Sequence, residues 1–98
     1  MRPKVFICEA TQDEGFEWQY IVNETVYANR VPLNYMVIKM GESAVFSEGQ
    51  KISIDGQIVT TTDLTTRNFL MIDEIPYVIL NRQRSTIGNM FRYALQRA

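Results

Sequence analysis

Residues 50–62, QKISIDGQIVTTT, decide how this chain is read. Ile52, Ile54 and Ile58 share one side of an alternating pattern, and Lys51, Ser53, Asp55 and Gln57 the other. Period two is the repeat of a strand with one buried face. Gly56 interrupts it, and a glycine inside a strand marks a bulge or a sharp bend, as at a barrel corner. A two-residue hairpin at Asp55-Gly56 is the alternative. Glu48-Gly49, just before, is a turn signal.

Working outward, Asn34–Met40 (NYMVIKM) reads as a strand that Gly41 ends, and Glu42–Phe46 as at most a single helical turn. Thr62–Asn68 is a polar loop, and Phe69–Leu80 supplies the last strand material, with Pro76 near a bend. Toward the N-terminus, Lys4–Glu9 (KVFICE) is rich in β-formers. The run Gln12-Asp13-Glu14-Gly15 is a turn. Phe16–Val22 alternates, with Phe16, Trp18, Tyr20 and Val22 on one side, and the strand continues or resumes through Thr25-Val26-Tyr27. Pro32 then breaks any ladder. At the other end, Ile87, Met90, Phe91, Ala94 and Leu95 follow the spacing of an amphipathic helix over Ser85–Ala98. Ser85 is its N-cap, with Asn89, Arg92 and Gln96 on the polar side.

Ninety-eight residues make one domain with a modest core. The expected division is a β-barrel unit over residues 1–84 and a helix over 85–98, packed on that unit or on a second subunit. No apolar run approaches the roughly 18 residues of a membrane span. The N-terminus turns acidic after four apolar residues, which is not a secretion signal. A single cysteine, Cys8, rules out an internal disulfide and suits a reducing cytoplasm. Cys8 lies in the apolar run VFIC and reads as a small buried hydrophobe.

The net charge is −1, but its distribution is uneven. Residues 1–80 carry six Lys/Arg against eleven Asp/Glu. Residues 81–98 carry Arg82, Arg84, Arg92 and Arg97 and no acid. The overall balance argues against a strong non-specific DNA binder, since backbone affinity comes mostly from counterion release by Lys and Arg. The cationic tail either reaches phosphates or folds back on the acidic body.

Enzymatic chemistry finds little here. There is no histidine, hence no ordinary neutral-pH general base and no Cys/His zinc set. The five glycines are isolated, so no phosphate-cradling loop is present. Asp13-Glu14 and Asp73-Glu74 are adjacent pairs, and neighbours on a strand point to opposite faces. We expect no enzyme and no cofactor. Aromatics are better represented: Trp18, Tyr20, Tyr27, Tyr35, Phe69 and Tyr77, beside scattered cations, are the ingredients of a base-stacking surface. Phe16, Trp18 and Tyr20 on one side are equally half of a core.

The stretch YMVIKMGESAVFSEGQKISIDGQIVTTT, followed by NFLMIDEIPYVIL, resembles the second half of bacterial single-stranded DNA-binding proteins and their primosomal relatives. Gly49, Ile52, Ile54, Gly56 and Ile58 occupy the places of that family's glycine–apolar pattern, and the resemblance covers about half the chain. A basic helix stands where the family has an acidic tail, which suggests a specialised relative, of mobile-element type. The resemblance implies a mainly β fold, a five-stranded OB-like barrel followed by the C-terminal amphipathic helix. It also implies non-catalytic binding of single-stranded nucleic acid. On that layout Tyr35, Lys39, Lys51, Arg67, Tyr77, Arg82 and Arg84 line one groove. A homo-oligomer, most simply a dimer, is expected from sheet edges and the helix on so small a body. The rival function is a protein-binding adaptor or inhibitor; a membrane role is not expected.

Overall fold

The computed structural model describes residues 2–84 and 88–98. The chain is β-rich. Its strands are β1 (Val5–Glu9), β2 (Thr11–Gln12), β3 (Trp18–Gln19), β4 (Val31–Pro32), β5 (Val37–Ser47), β6 (Gln50–Thr60), β7 (Asn68–Ile72), β8 (Ile75–Arg84) and β9 (Phe91–Arg97). One short helix, α1 (Glu24–Ala28), lies between β3 and β4. Seven strands form one antiparallel sheet in the order β4-β1-β7-β8-β9-β6-β5, and β2 and β3 form a separate ribbon. No helix among the described residues is long and apolar enough to cross a membrane.

Three of its connections follow from turn chemistry. Glu48 (φ 51°) and Gly49 (φ 79°) join β5 to β6, and Asp73 (φ 50°) and Glu74 (φ 68°) join β7 to β8. Two consecutive left-handed residues match the natural twist of a two-residue hairpin. At the β2–β3 ribbon the Asp13 carboxylate accepts the Gly15 and Glu17 N–H groups, each at 2.9 Å. That pins the turn in which Phe16 is held at φ 62°.

Alternation along β1 and β7 sends side chains to two opposite faces, and each face has its own core. One holds Val5, Leu33, Ile58, Leu64, Leu70, Ile72, Tyr77, Tyr93 and Leu95. The other holds Cys8, Val26, Phe69 and Met71, with Tyr20 and Val22 packed against it. Tyr93 is fully buried, and its hydroxyl donates to Thr62 O (3.1 Å) and accepts from Leu64 N (2.8 Å). The buried phenol is thereby satisfied, and the 61–67 loop is tied over the first core.

The C-terminal helix is not formed: residues 91–97 are strand β9, paired with β6 on one side and β8 on the other. Phe91, Tyr93 and Leu95 alternate onto the first core, and that period-two burial wins over the coincident helical spacing. Ser85 and Ile87, read as its N-cap and first apolar contact, lie outside the described residues. The division at residue 84 also fails, because β9 is an inner strand of the same sheet. The barrel does not close: the outer strands are β4 and β5, and they are not paired with each other. Glu42–Phe46 is strand, not a helical turn, and Gly41 does not end β5 but opens a bulge between Met40 and Ser43. Thr25–Tyr27 is helix because Asn23 caps it, its side chain accepting the Val26 N–H at 2.8 Å. Of Phe16–Val22, only Trp18–Gln19 is in a ladder. Phe69–Leu80 is two strands, turned at Asp73-Glu74.

Candidate nucleic-acid interface

Gln50–Thr60 carries the reading of its two faces into the structure. Ile54 and Ile58 are buried, while Lys51 and Ser53 are exposed and Gln57 is half-buried. Gly56 is needed where it stands: a Cβ there would come within 2.8 Å of Met40 Sδ and 3.1 Å of the Lys39 carbonyl oxygen. The outward side of β6 continues across its neighbours. Gln57 pairs with Lys39 on β5 and with Ala94 on β9, and Ala94 pairs with Asn81 on β8. In the next row, Val59 pairs with Val37 and Arg92, and Arg92 with Gln83. Paired residues project to the same side. Two cations and three carboxamides therefore share one face of four adjacent strands.

A depression of about 240 Å³ opens on this face, lined by Val45, Phe46, Gln57, Asn81, Gln83, Arg92 and Ala94. Phe46 is 73% exposed. A second hollow of about 250 Å³ adjoins it through Val45, Asn81 and Ala94, and adds Glu48, Ile52, Ile54 and Leu80. Asp55 is the nearest acid on β6, and its carboxylate accepts the Arg97 N–H at 2.7 Å. The surface thus offers an aromatic ring, neutral donors and acceptors, and cations without local carboxylate partners among the described residues.

The seven residues singled out in the sequence do not form one groove. Tyr77 is in the first core, 9% exposed, so its ring presents no free face. Tyr35 is half-buried against that core; its hydroxyl donates to Pro3 O (2.6 Å), and the Arg2 guanidinium sits 4.5 Å from its ring centre. Lys39 and Lys51 are exposed on the β5–β6 arm. Arg67 is on the 61–67 loop, 5.0 Å from the Trp18 ring centre. Arg82 pairs with Tyr93, hence lies on the opposite side of the sheet from Arg92, and it is ion-paired with Asp63. Arg84 pairs with Phe91, and its side chain lies outside the described part. Only Lys39 of these belongs to the polar rows.

The remaining aromatics are mostly engaged: Tyr20 meets Phe69 edge-on at 6.0 Å, and Tyr27 stacks under Arg30 at 3.7 Å. Phe46, Asn81, Gln83 and Arg92 carry the face and escaped the sequence reading. Their common side appears only once β9 is known to lie between β6 and β8.

Burial raises the Cys8 thiol above its ordinary pKa, with the Arg30 charge opposing, which disfavours a nucleophilic thiolate. No trio of His, Cys, Asp or Glu converges as a metal site among the described residues. No protein-family model, curated protein or solved structure matches the chain.

Proposed function

We propose that this chain is a non-catalytic, cytoplasmic module that binds single-stranded nucleic acid on the outer face of β5, β6, β9 and β8. One observation carries the reading: the rows Lys39–Gln57–Ala94–Asn81 and Val37–Val59–Arg92–Gln83 lie beside the exposed Phe46 ring. Single-strand binders combine cations for the backbone with aromatic faces for the bases. Arg92 and Lys39 supply the first, Phe46 the second, and the carboxamides donate and accept at base edges. The resemblance of the Tyr35–Thr62 stretch to single-stranded DNA-binding proteins points to the same ligand class, without an OB strand order to go with it.

Titration of a fluorescent oligo-dT at two salt concentrations tests this. The parent chain binds, prefers single strands to duplex, and weakens as salt rises. Phe46→Ala costs about 1–3 kcal/mol of binding if the ring is stacked on. Arg92→Ala lowers the salt slope by about one. A folded parent chain that leaves the oligonucleotide free at low salt overturns the proposal. A second reading, docking to a protein, then leads. It is favoured by Phe16, 77% exposed and held at a positive φ on a turn that Asp13 fixes.

A further inference from the structure

The two edges of the sheet are unlike. At one side β4 offers two residues, and Pro32 has no N–H to give. At the other, β5 runs for eleven residues with only β6 beside it among the described residues. Its outer N–H and C=O groups are unpaired by any strand, the condition that invites strand addition. Apolar side chains accompany that edge: Met36 is 58% exposed, Val37 57%, Met40 37% and Phe46 73%.

We propose that β5 pairs with β5 of a second copy, antiparallel, about a two-fold axis at the Gly41–Glu42 bulge. The bulge makes this register possible, because its extra residue shifts the alternation by one. Through their β6 partners, Val37, Lys39, Ala44 and Phe46 share one side of the strand, and Ile38, Met40, Ser43 and Val45 the other. A two-fold pairing must match sides. It does so when Val37 lies opposite Phe46 of the second copy, Ile38 opposite Val45, Lys39 opposite Ala44 and Met40 opposite Ser43. The two most exposed apolar residues of the strand then stand side by side across the seam, twice by symmetry, on the face that carries the polar rows. Glu42 lies opposite Gly41, with Lys39 of the second copy diagonal to it, within reach of a long side chain. An unbulged strand pairing on itself through residue 42 sets Glu42 against Glu42.

The unlike edges also decide closure. Adding β4 of one copy to β5 of the next would build an open chain, and the short, proline-ended β4 opposes it. Isologous β5 pairing consumes both long edges and stops at two. An axis normal to the sheet keeps both polar faces on the same side, so a dimer presents them as one surface.

Sedimentation of the full chain at micromolar concentration, without nucleic acid, tests the interface. The expected mass is twice the 11.4 kDa of one chain. Val37→Lys combined with Phe46→Lys, at two exposed positions, yields a folded monomer by circular dichroism and sedimentation. For the register, Val37→Cys/Phe46→Cys forms a covalent dimer on oxidation, whereas Lys39→Cys/Phe46→Cys does not. A monomeric parent overturns the proposal, as does a dimer that survives the two lysines. Cross-linking of the second cysteine pair but not the first overturns the register. If the lysine variant does not fold, the cysteine pairs decide alone. Phe46 belongs to both surfaces, so binding is judged through Arg92→Ala, on β9 and outside the β5 pairing, and the interface is judged without nucleic acid; failure of either then leaves the other standing.

Discussion

Cys8 shows how far a residue's neighbours decide its chemistry. It is 1% exposed in the cluster with Val26, Phe69 and Met71, and burial raises its pKa. A thiol-specific reagent at pH 8 leaves it unmodified in the folded chain and labels it fully in urea. The same burial makes stability depend on pH in the alkaline range. The folded thiol keeps its proton while the unfolded one loses it near its ordinary value of about 8.5. The contribution is therefore complete below that pH and lost as pH rises through the folded value. A Cys8→Ala comparison of urea midpoints at pH 7 and pH 9.5 shows the pH-dependent part. Reading VFIC as apolar and buried was enough to foresee the inert thiol. The roles of Tyr77 and Tyr35 were not foreseeable in this way. A tyrosine on a strand suits a core and a binding face equally, and only the packing around it decides.

At the level of elements, some turns were legible and the C-terminal strand was not. Glu48-Gly49 announced a turn because glycine takes a positive φ without cost; that it joins two strands did not show. Asp73-Glu74 announced none, since Asp tolerates the left-handed region but Glu disfavours it, and both occupy it. Glu74→Gly relieves that conformation and raises the urea midpoint with an unchanged slope, a gain of up to about 1 kcal/mol, being left-handed strain removed less the added chain entropy. A drop in the midpoint means that the Glu74 side chain matters more than its backbone. The C-terminal segment misled because Phe91, Ala94 and Leu95 satisfy the helical spacing while Phe91, Tyr93 and Leu95 satisfy the strand spacing. Partners on both sides settle it. A chain ending at Met90 therefore loses Tyr93 and Leu95 from the core and exposes the inner edges of β6 and β8. It fails to show a cooperative urea transition, whereas a peripheral helix would leave a folded domain behind.

For the whole molecule, local pattern and long-range pairing made separate contributions. The sequence by itself determined a mainly β chain, the two sides of residues 50–60, the buried cysteine, and the turn at Glu48-Gly49. All of these follow from interactions among residues a few positions apart. Only the tertiary structure decided that the sheet stays open, that β1 lies against β7 across the chain, and that β9 fills the place between β8 and β6. The candidate face belongs to that second group. Lys39, Gln57, Asn81 and Arg92 come from four strands, and nothing local to any one strand names its neighbours. A strand's own pattern says which side is wet. Its place in the sheet, set by which apolar faces can be buried together, says what stands beside it.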